Sequence, residues 1–209
     1  MAGRPSPPDP GSATERIVDA TLRCVARWGI TKTTVDDVAR EAGVGRATLY
    51  RLFPGGRDAL LDAVVAAEAA RFFDRLDARV SGAGSLEDLL VVMIGEAART
   101  LADHAAFQFL LAHEPETILP HLTFQQMDAL LRTVALLGSP YLTPWLDEPD
   151  DEAAARGVEW IARIVISYLI APSPGVNLAE PDSIRKLVRT YIVPGLTPER
   201  NRLLEGEPV

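Results

Sequence analysis

Cysteine is nearly absent. Cys24 is the one thiol in 209 residues, which excludes an internal disulfide framework and a cysteine-built zinc site. It falls on the apolar face of the first helical segment, where it is expected as a small core residue rather than a redox sensor. Lysine is almost as scarce, Lys32 and Lys186 against 19 arginines. His104, His113 and His121 are not spaced as a helical metal pair, and no Glu-x-x-His motif accompanies them; no metal site is expected. Nowhere does the chain hold the roughly 18–20 uninterrupted apolar residues of a membrane span. The Pro/Ser/Gly-rich start has no apolar stretch of the signal-peptide kind. A Gly-x-Ser-x-Gly elbow, a Gly-rich phosphate loop and strand-period alternation are all missing. These absences lead to the expectation of a soluble cytoplasmic protein with no catalytic residues and no cofactor.

What is present is globular: 47% apolar and 24% charged residues, with enough length to bury a core. The formal net charge of −8 argues at first against a nucleic-acid partner. Its distribution reverses that inference. Residues 12–58 carry eight basic and six acidic groups, a net +2, whereas residues 59–209 carry −10. Only one end of the molecule is suited to a phosphate surface.

Residues 1–11, with four prolines and two glycines, are expected as an arm that cannot repay its ordering entropy. Helical periodicity begins at Ser12: Ile17, Thr21, Cys24, Val25 and Trp28 share a face, and Gly29 is placed to end that helix. Thr33 or Thr34 caps a second, short helix, with Asp36 or Asp37 reaching back. Further helices are expected over about 45–53, 57–80, 85–103, 107–113, 121–137, 151–170 and 182–193, with an irregular connection over 138–150. The class is all-α, with about nine helices. The domains expected are a helix-turn-helix unit at 12–58, a helical ligand-binding and dimerisation domain at 59–194, and a tail at 195–209.

The stretch Thr33–Leu61 carries the most specific pattern. Two short helices meet at Gly43, where glycine permits the reversal, and the first long helix packs across them. Val38, Ala39, Val44, Leu49 and Phe53 supply the apolar contact. Gly45, Arg46, Ala47, Thr48, Tyr50 and Arg51 are left on the outer side of the third helix. That side mixes donors, a small residue and hydroxyls, which is what a groove-reading helix requires.

Three strings, Thr-Thr-Val-Asp-Asp-Val-Ala-Arg-Glu-Ala-Gly-Val at 33–44, Ala-Thr-Leu-Tyr-Arg-Leu-Phe at 47–53 and Asp-Ala-Leu-Leu at 58–61, resemble the TetR family of transcriptional regulators. The likeness covers residues 12–61. It departs at Gly45, where many members have serine, and at Gly55-Gly56-Arg57, where many have Ser-Lys. The resemblance implies a homodimer that binds a double-stranded DNA operator and responds to a small-molecule effector. It implies that Arg46 reads bases, that Ala47 and Thr48 touch base edges or thymine methyls, and that Thr34, Tyr50 and Arg57 hold phosphates. Arg51 is left as either a phosphate contact or a solvated charge. The first reading is a repressor of a pseudo-palindromic operator, released by an apolar or amphipathic effector. The alternative is a ligand-binding or protein-interaction module with a degenerate helix-turn-helix.

For the effector, Met93, Phe107, Phe109, His113, Phe124, Met127, Trp145 and Arg163 are the candidate lining residues, each weighed against a plain core role. The segments 151–170 and 182–193 carry more apolar surface than one face needs. Val158, Ile161, Val165, Tyr168, Leu187 and Tyr191 are therefore candidates for a four-helix dimer interface.

Overall fold

A computed structural model describes residues 11–116, 127–146 and 150–197, and among these the regular structure is helical. The chain divides into two compact units. One holds the chain up to Arg71 together with Asp103–Leu130, and the other holds Phe72–Ala102 and the chain from Leu131.

The first unit contains α1 (Ala13–Lys32), α2 (Val35–Glu41), α3 (Arg46–Leu52), the first part of α4 (Arg57–Val80) and α6 (Ala105–His113). The Ser12 hydroxyl caps α1 by accepting the Glu15 N–H at 3.1 Å. The shared face of α1 is buried as its spacing predicts at Ile17, Thr21, Cys24 and Val25, and Trp28 is half-buried at its edge. Ile17, Val18, Ala20 and Cys24 pack with Val38 and Ala39 of α2, Leu49 of α3, Phe53 and Leu60. Burial pushes the Cys24 thiol up, with Glu41 and Asp37 adding to it, so the group is a neutral core residue and not a thiolate. A smaller cluster joins Val25 and Ile30 of α1 to Ala106 and Leu110 of α6.

Gly29 is expected to end α1; instead the chain kinks there (φ 81°, ψ 174°) and resumes a helical turn to Lys32. Glu114, just past α6, accounts for the kink. Its carboxylate accepts the N–H groups of Ile30 at 2.9 Å and Thr31 at 3.3 Å, donors that the kink strips of helical partners. A Cβ at position 29 would lie 2.2 Å from the Glu114 carboxylate. Glycine is thus required twice, by its φ and by the approaching acid. At its other end, α6 begins earlier than the expected 107. His104 Nδ1 accepts the Phe107 N–H at 3.1 Å, an N-cap that the sequence does not advertise.

The second unit contains α5 (Leu86–Asp103, save its last residue), most of α7 (Met127–Leu142), α8 (Asp151–Ile170), α9 (Pro181–Leu187) and α10 (Val193–Leu196). Its core includes Leu90 and Ile94 of α5, Leu131, Leu137 and Leu142 of α7, Val158 and Val165 of α8 and Ile184 of α9. Two expectations require correction. The connection placed at 138–150 is helical to Leu142, with Pro140 inside α7. Packing overrides the breakers: a Cβ on Gly138 would lie 2.6 Å from Val158 Cγ1, and one on Gly157 would lie 2.8 Å from Leu142 Cδ2, so the two glycines let α7 and α8 approach closely. The last helix, expected at 182–193, widens into a π-turn over Val188–Ile192 before α10. Pro194 has no N–H to give the α-helical ladder there. The start of the expected 121–137 helix and the end of the tail lie outside the described residues.

The N-terminus of α5 is tied to α9 and the π-turn by charge. Glu87 accepts from Arg185 at 2.8 Å and from Arg189 at 2.8 and 2.9 Å, and Arg185 also reaches Asp88 at 2.8 Å. Hydrogen bonds from Arg189 and then Arg185 hold the Glu87 carboxyl down to about 2 from an ordinary 4.5. A carboxyl depressed by folding stabilises fully above its unfolded value, and the gain is lost as pH falls toward the folded one. Melting curves across a pH series should therefore show Glu87→Gln less stable than the parent at neutral pH, with the gap closing between pH 4.5 and 2. In the first unit, Gly29→Ala should cost about 1–3 kcal/mol. In a Glu114→Ala background the cost should shrink to the backbone part alone, so the two substitutions should be non-additive in denaturant titrations.

Candidate nucleic-acid interface

The short helices α2 and α3 are fixed from within. Thr34 caps α2 and forms a capping box with Asp37. Its hydroxyl accepts the Asp37 N–H at 3.2 Å, and the Asp37 carboxylate in turn accepts from the Thr34 N–H and hydroxyl. The bond from the Thr34 hydroxyl is the main reason the Asp37 carboxyl lies below its usual range. After α2, Gly43 takes φ 64° to turn the chain. Leu49 is then the one fully buried side chain on α3, with Phe53 buried at its C-cap. An anchored Leu49 points the opposite side of α3 outward. Arg46, Ala47, Tyr50 and Arg51 are exposed and Thr48 is half-buried. Gly56 (φ 64°) leads into α4, where Arg57 is exposed in the first turn, a place where the helix dipole favours a bound anion.

The expected DNA-contacting residues therefore fall on one stretch, with Thr34 at the head of α2, Arg46–Arg51 along α3 and Arg57 at the head of α4. Their charges are not alike. Each carboxylate of α2 is matched to a different arginine: Glu41 to Arg23 at 2.7 Å, Asp37 to Arg40 at 3.0 Å, and Asp36 to Arg46 at 3.1 Å. The Arg46 guanidinium also lies over the Tyr50 ring, 5.6 Å from its centroid, within cation–π range. Among the described residues, no ion pair engages Lys32, Arg51 or Arg57. Sequence reasoning missed the Asp36–Arg46 pair, because ten residues across a turn is not a helical spacing that signals contact.

The expected effector-lining residues are divided between the two units. Phe107, Phe109, His113 and Met127 belong to the first unit, and Met93, Trp145 and Arg163 to the second. Met93 and Met127 are buried. Phe109 stacks on His113 at 4.4 Å, and the exposed His113 ring donates from Nδ1 to the Phe109 carbonyl at 3.0 Å. Arg163 is exposed and bonded to Glu159 at 2.8 Å. Phe124 lies outside the described residues. A cavity of about 10 Å³ among Thr21, Val25, Val35 and Leu60 is water-sized and too small for an effector. Of the expected interface residues, Val158, Ile161, Val165 and Leu187 are buried within the single chain, Tyr168 is half-buried, and Tyr191 is 67% exposed. Trp160 and Leu136, not singled out from sequence, are 41% and 55% exposed. No group of three or more metal-binding side chains occurs among the described residues, and none of their helices is long and apolar enough to cross a membrane.

A three-helix head with an exposed, arginine-bearing third helix defines a helix-turn-helix domain. Residues 17–64 match the family described as bacterial regulatory proteins, tetR family. An HTH-type transcriptional regulator of Mycobacterium tuberculosis is 28% identical over 186 residues, covering 89% of this chain and 86% of its own. The TetR family repressor AlkX from a Dietzia strain, implicated in biodegradation of n-alkanes, superimposes with a TM-score of 0.68 at 22% identity, over 91% of this chain and 97% of AlkX. FadR from Bacillus subtilis, solved with stearoyl-CoA, gives 0.52 at 17% identity over 84% and 97%. Through this head, residues 17–64, the chain is similar to the tetR family of bacterial regulatory proteins.

Proposed function

We propose that this transcriptional regulator is a repressor acting in the cytoplasm, which binds a pseudo-palindromic operator as a homodimer and is released by a small apolar or amphipathic effector. The observation that carries the reading is the outer side of α3. Arg46, Ala47, Tyr50 and Arg51 stand clear of the core on a helix whose only deep anchor is Leu49. In this reading Arg46 reads guanine, most naturally through two hydrogen bonds, worth about 1–3 kcal/mol of discrimination. Ala47 and Thr48 meet base edges or thymine methyls, and Thr34, Tyr50, Arg51 and Arg57 meet phosphates.

Two such heads fit successive major grooves when a two-fold axis sets them about 34–36 Å apart. The exposed Tyr191 and Trp160, with half-buried Tyr168 in the last turn of α8, offer aromatic surface for that association. Two proteins of the same fold supply the support for the effector's chemistry: one is implicated in n-alkane degradation and one holds stearoyl-CoA. Both point to a molecule with a long hydrocarbon chain. Such a ligand releases DNA only to the extent that it favours the unbound arrangement of the dimer.

In a mobility-shift assay on the DNA flanking its own gene, the parent protein should give a specific shift at low salt that a long-chain acyl-CoA reduces. Arg46→Ala should lose sequence preference, and Tyr50→Phe should weaken binding while leaving the sequence preference unchanged. No specific shift would overturn operator binding, and retained preference in Arg46→Ala would remove that residue's role. In sedimentation velocity, Tyr191→Asp should shift the dimer toward monomer; an unchanged dimer would place the interface elsewhere.

A further inference from the structure

We infer that Asp36 is a specificity-determining positioning residue. By holding the Arg46 guanidinium it keeps that arginine from serving as a general phosphate anchor, and so reserves it for base edges. The inference deepens the operator-binding reading and rests on it.

The geometry is simple. Arg46 Nη1 lies 3.1 Å from Asp36 Oδ2, with the two side chains 64% and 54% exposed. On the other side the guanidinium faces the Tyr50 ring. Asp37 and Glu41 are occupied by Arg40 and Arg23, so Asp36 is the α2 carboxylate left for α3. An exposed pair of this kind adds little to folding stability. Its consequence lies in what approaches it. A free arginine on a DNA-facing helix neutralises whatever phosphate comes near, and each neutralised phosphate steepens the salt dependence of binding by roughly 0.9 in log–log slope. That term is blind to sequence.

With Asp36 in place, the pair carries no net charge, and moving Arg46 to a phosphate either breaks the pair or drags a carboxylate toward the backbone. Guanine presents a different demand. The guanidinium has five N–H donors in a planar fork; Nη1 can stay with Asp36 while the remaining donors meet O6 and N7. The correct base is read with the pair intact, and the phosphate is not. Asp36 thus lowers affinity for DNA in general and raises the ratio of specific to nonspecific binding. Lys32, Arg51 and Arg57, which no ion pair engages among the described residues, are left as the sequence-blind anchors.

The test uses the full chain as parent, Asp36→Ala, Asp36→Asn, Asp36→Glu, Arg46→Ala and the Asp36→Ala/Arg46→Ala double variant. Fluorescence anisotropy follows binding to a scrambled duplex, and to the duplex the parent enriches from a random library, across a salt series. Circular dichroism melts check that every variant folds alike. Asp36→Ala and Asp36→Asn should bind the scrambled duplex about 3–10-fold tighter at low salt, with a slope steeper by about one. Their preference for the enriched duplex should fall about tenfold, and Asp36→Glu should restore it. In the Arg46→Ala background, removing Asp36 should leave the slope unchanged. The inference is overturned if Asp36→Ala keeps the parent's slope and preference. It is also overturned if the slope steepens equally without Arg46, because the carboxylate then repels phosphate directly. A parent that enriches no sequence defeats the operator reading itself, and this inference with it.

Discussion

A seven-residue helix does not persist alone in water, because nucleation costs more than so few hydrogen bonds return. α3 exists because Leu49 is driven completely into the core formed by Ile17, Cys24, Val38 and Leu60. Everything proposed for the DNA-facing surface depends on that one burial. It sets the rotation of α3, and with it which side chains face outward. The Thr34–Asp37 capping box and the positive φ of Gly43 then fix the angle at which α2 delivers the chain to α3.

A second constraint acts from farther along the chain. α6 packs on α1 within the same compact unit, through Ala106, Leu110, Val25 and Ile30. Glu114 closes that contact by taking the two backbone N–H groups freed by the Gly29 kink. At the head of α6, His104 accepts the Phe107 N–H and its Nε2 lies 3.4 Å from Glu68 of α4. The helix-turn-helix head is thus braced by a segment some 80 residues away in sequence, which takes α6 out of a purely C-terminal role.

Much of this was legible beforehand, and the physical reasons are local. Helical periodicity exposed α1, α4, α5 and α8, because an amphipathic stripe is written every three to four residues. The capping box and the Gly43 turn were readable because each requires particular residue types within four positions. Illegible features were those made by distant partners. Gly138 and Pro140 read as breakers, yet the close approach of α7 and α8 carries the helix through them. Glu114 is unremarkable in sequence and acquires meaning only beside Ile30 and Thr31. Val158, Ile161, Val165 and Leu187 read as surplus apolar surface, and the chain itself buries them, whereas Trp160 and Tyr191 remain outside. The outward position of Arg46, Ala47, Tyr50 and Arg51 on α3 is legible in the sequence; the ion pair that ties Arg46 to α2 is not.

Charge joins these observations to function. The chain is acidic as a whole, but its excess belongs to residues beyond 58, and three of the arginines on the helix-turn-helix head, Arg23, Arg40 and Arg46, are matched by α2 carboxylates. Such a surface holds DNA weakly unless the sequence is right. The central claim is that two of these heads, related by a two-fold axis, read one duplex. Hydroxyl-radical footprinting of the bound operator tests it most directly. The account predicts two protected patches on the same face of the duplex, centred one helical turn apart and symmetric between strands. A single unsymmetric patch, or protection spread evenly along the duplex, would contradict it.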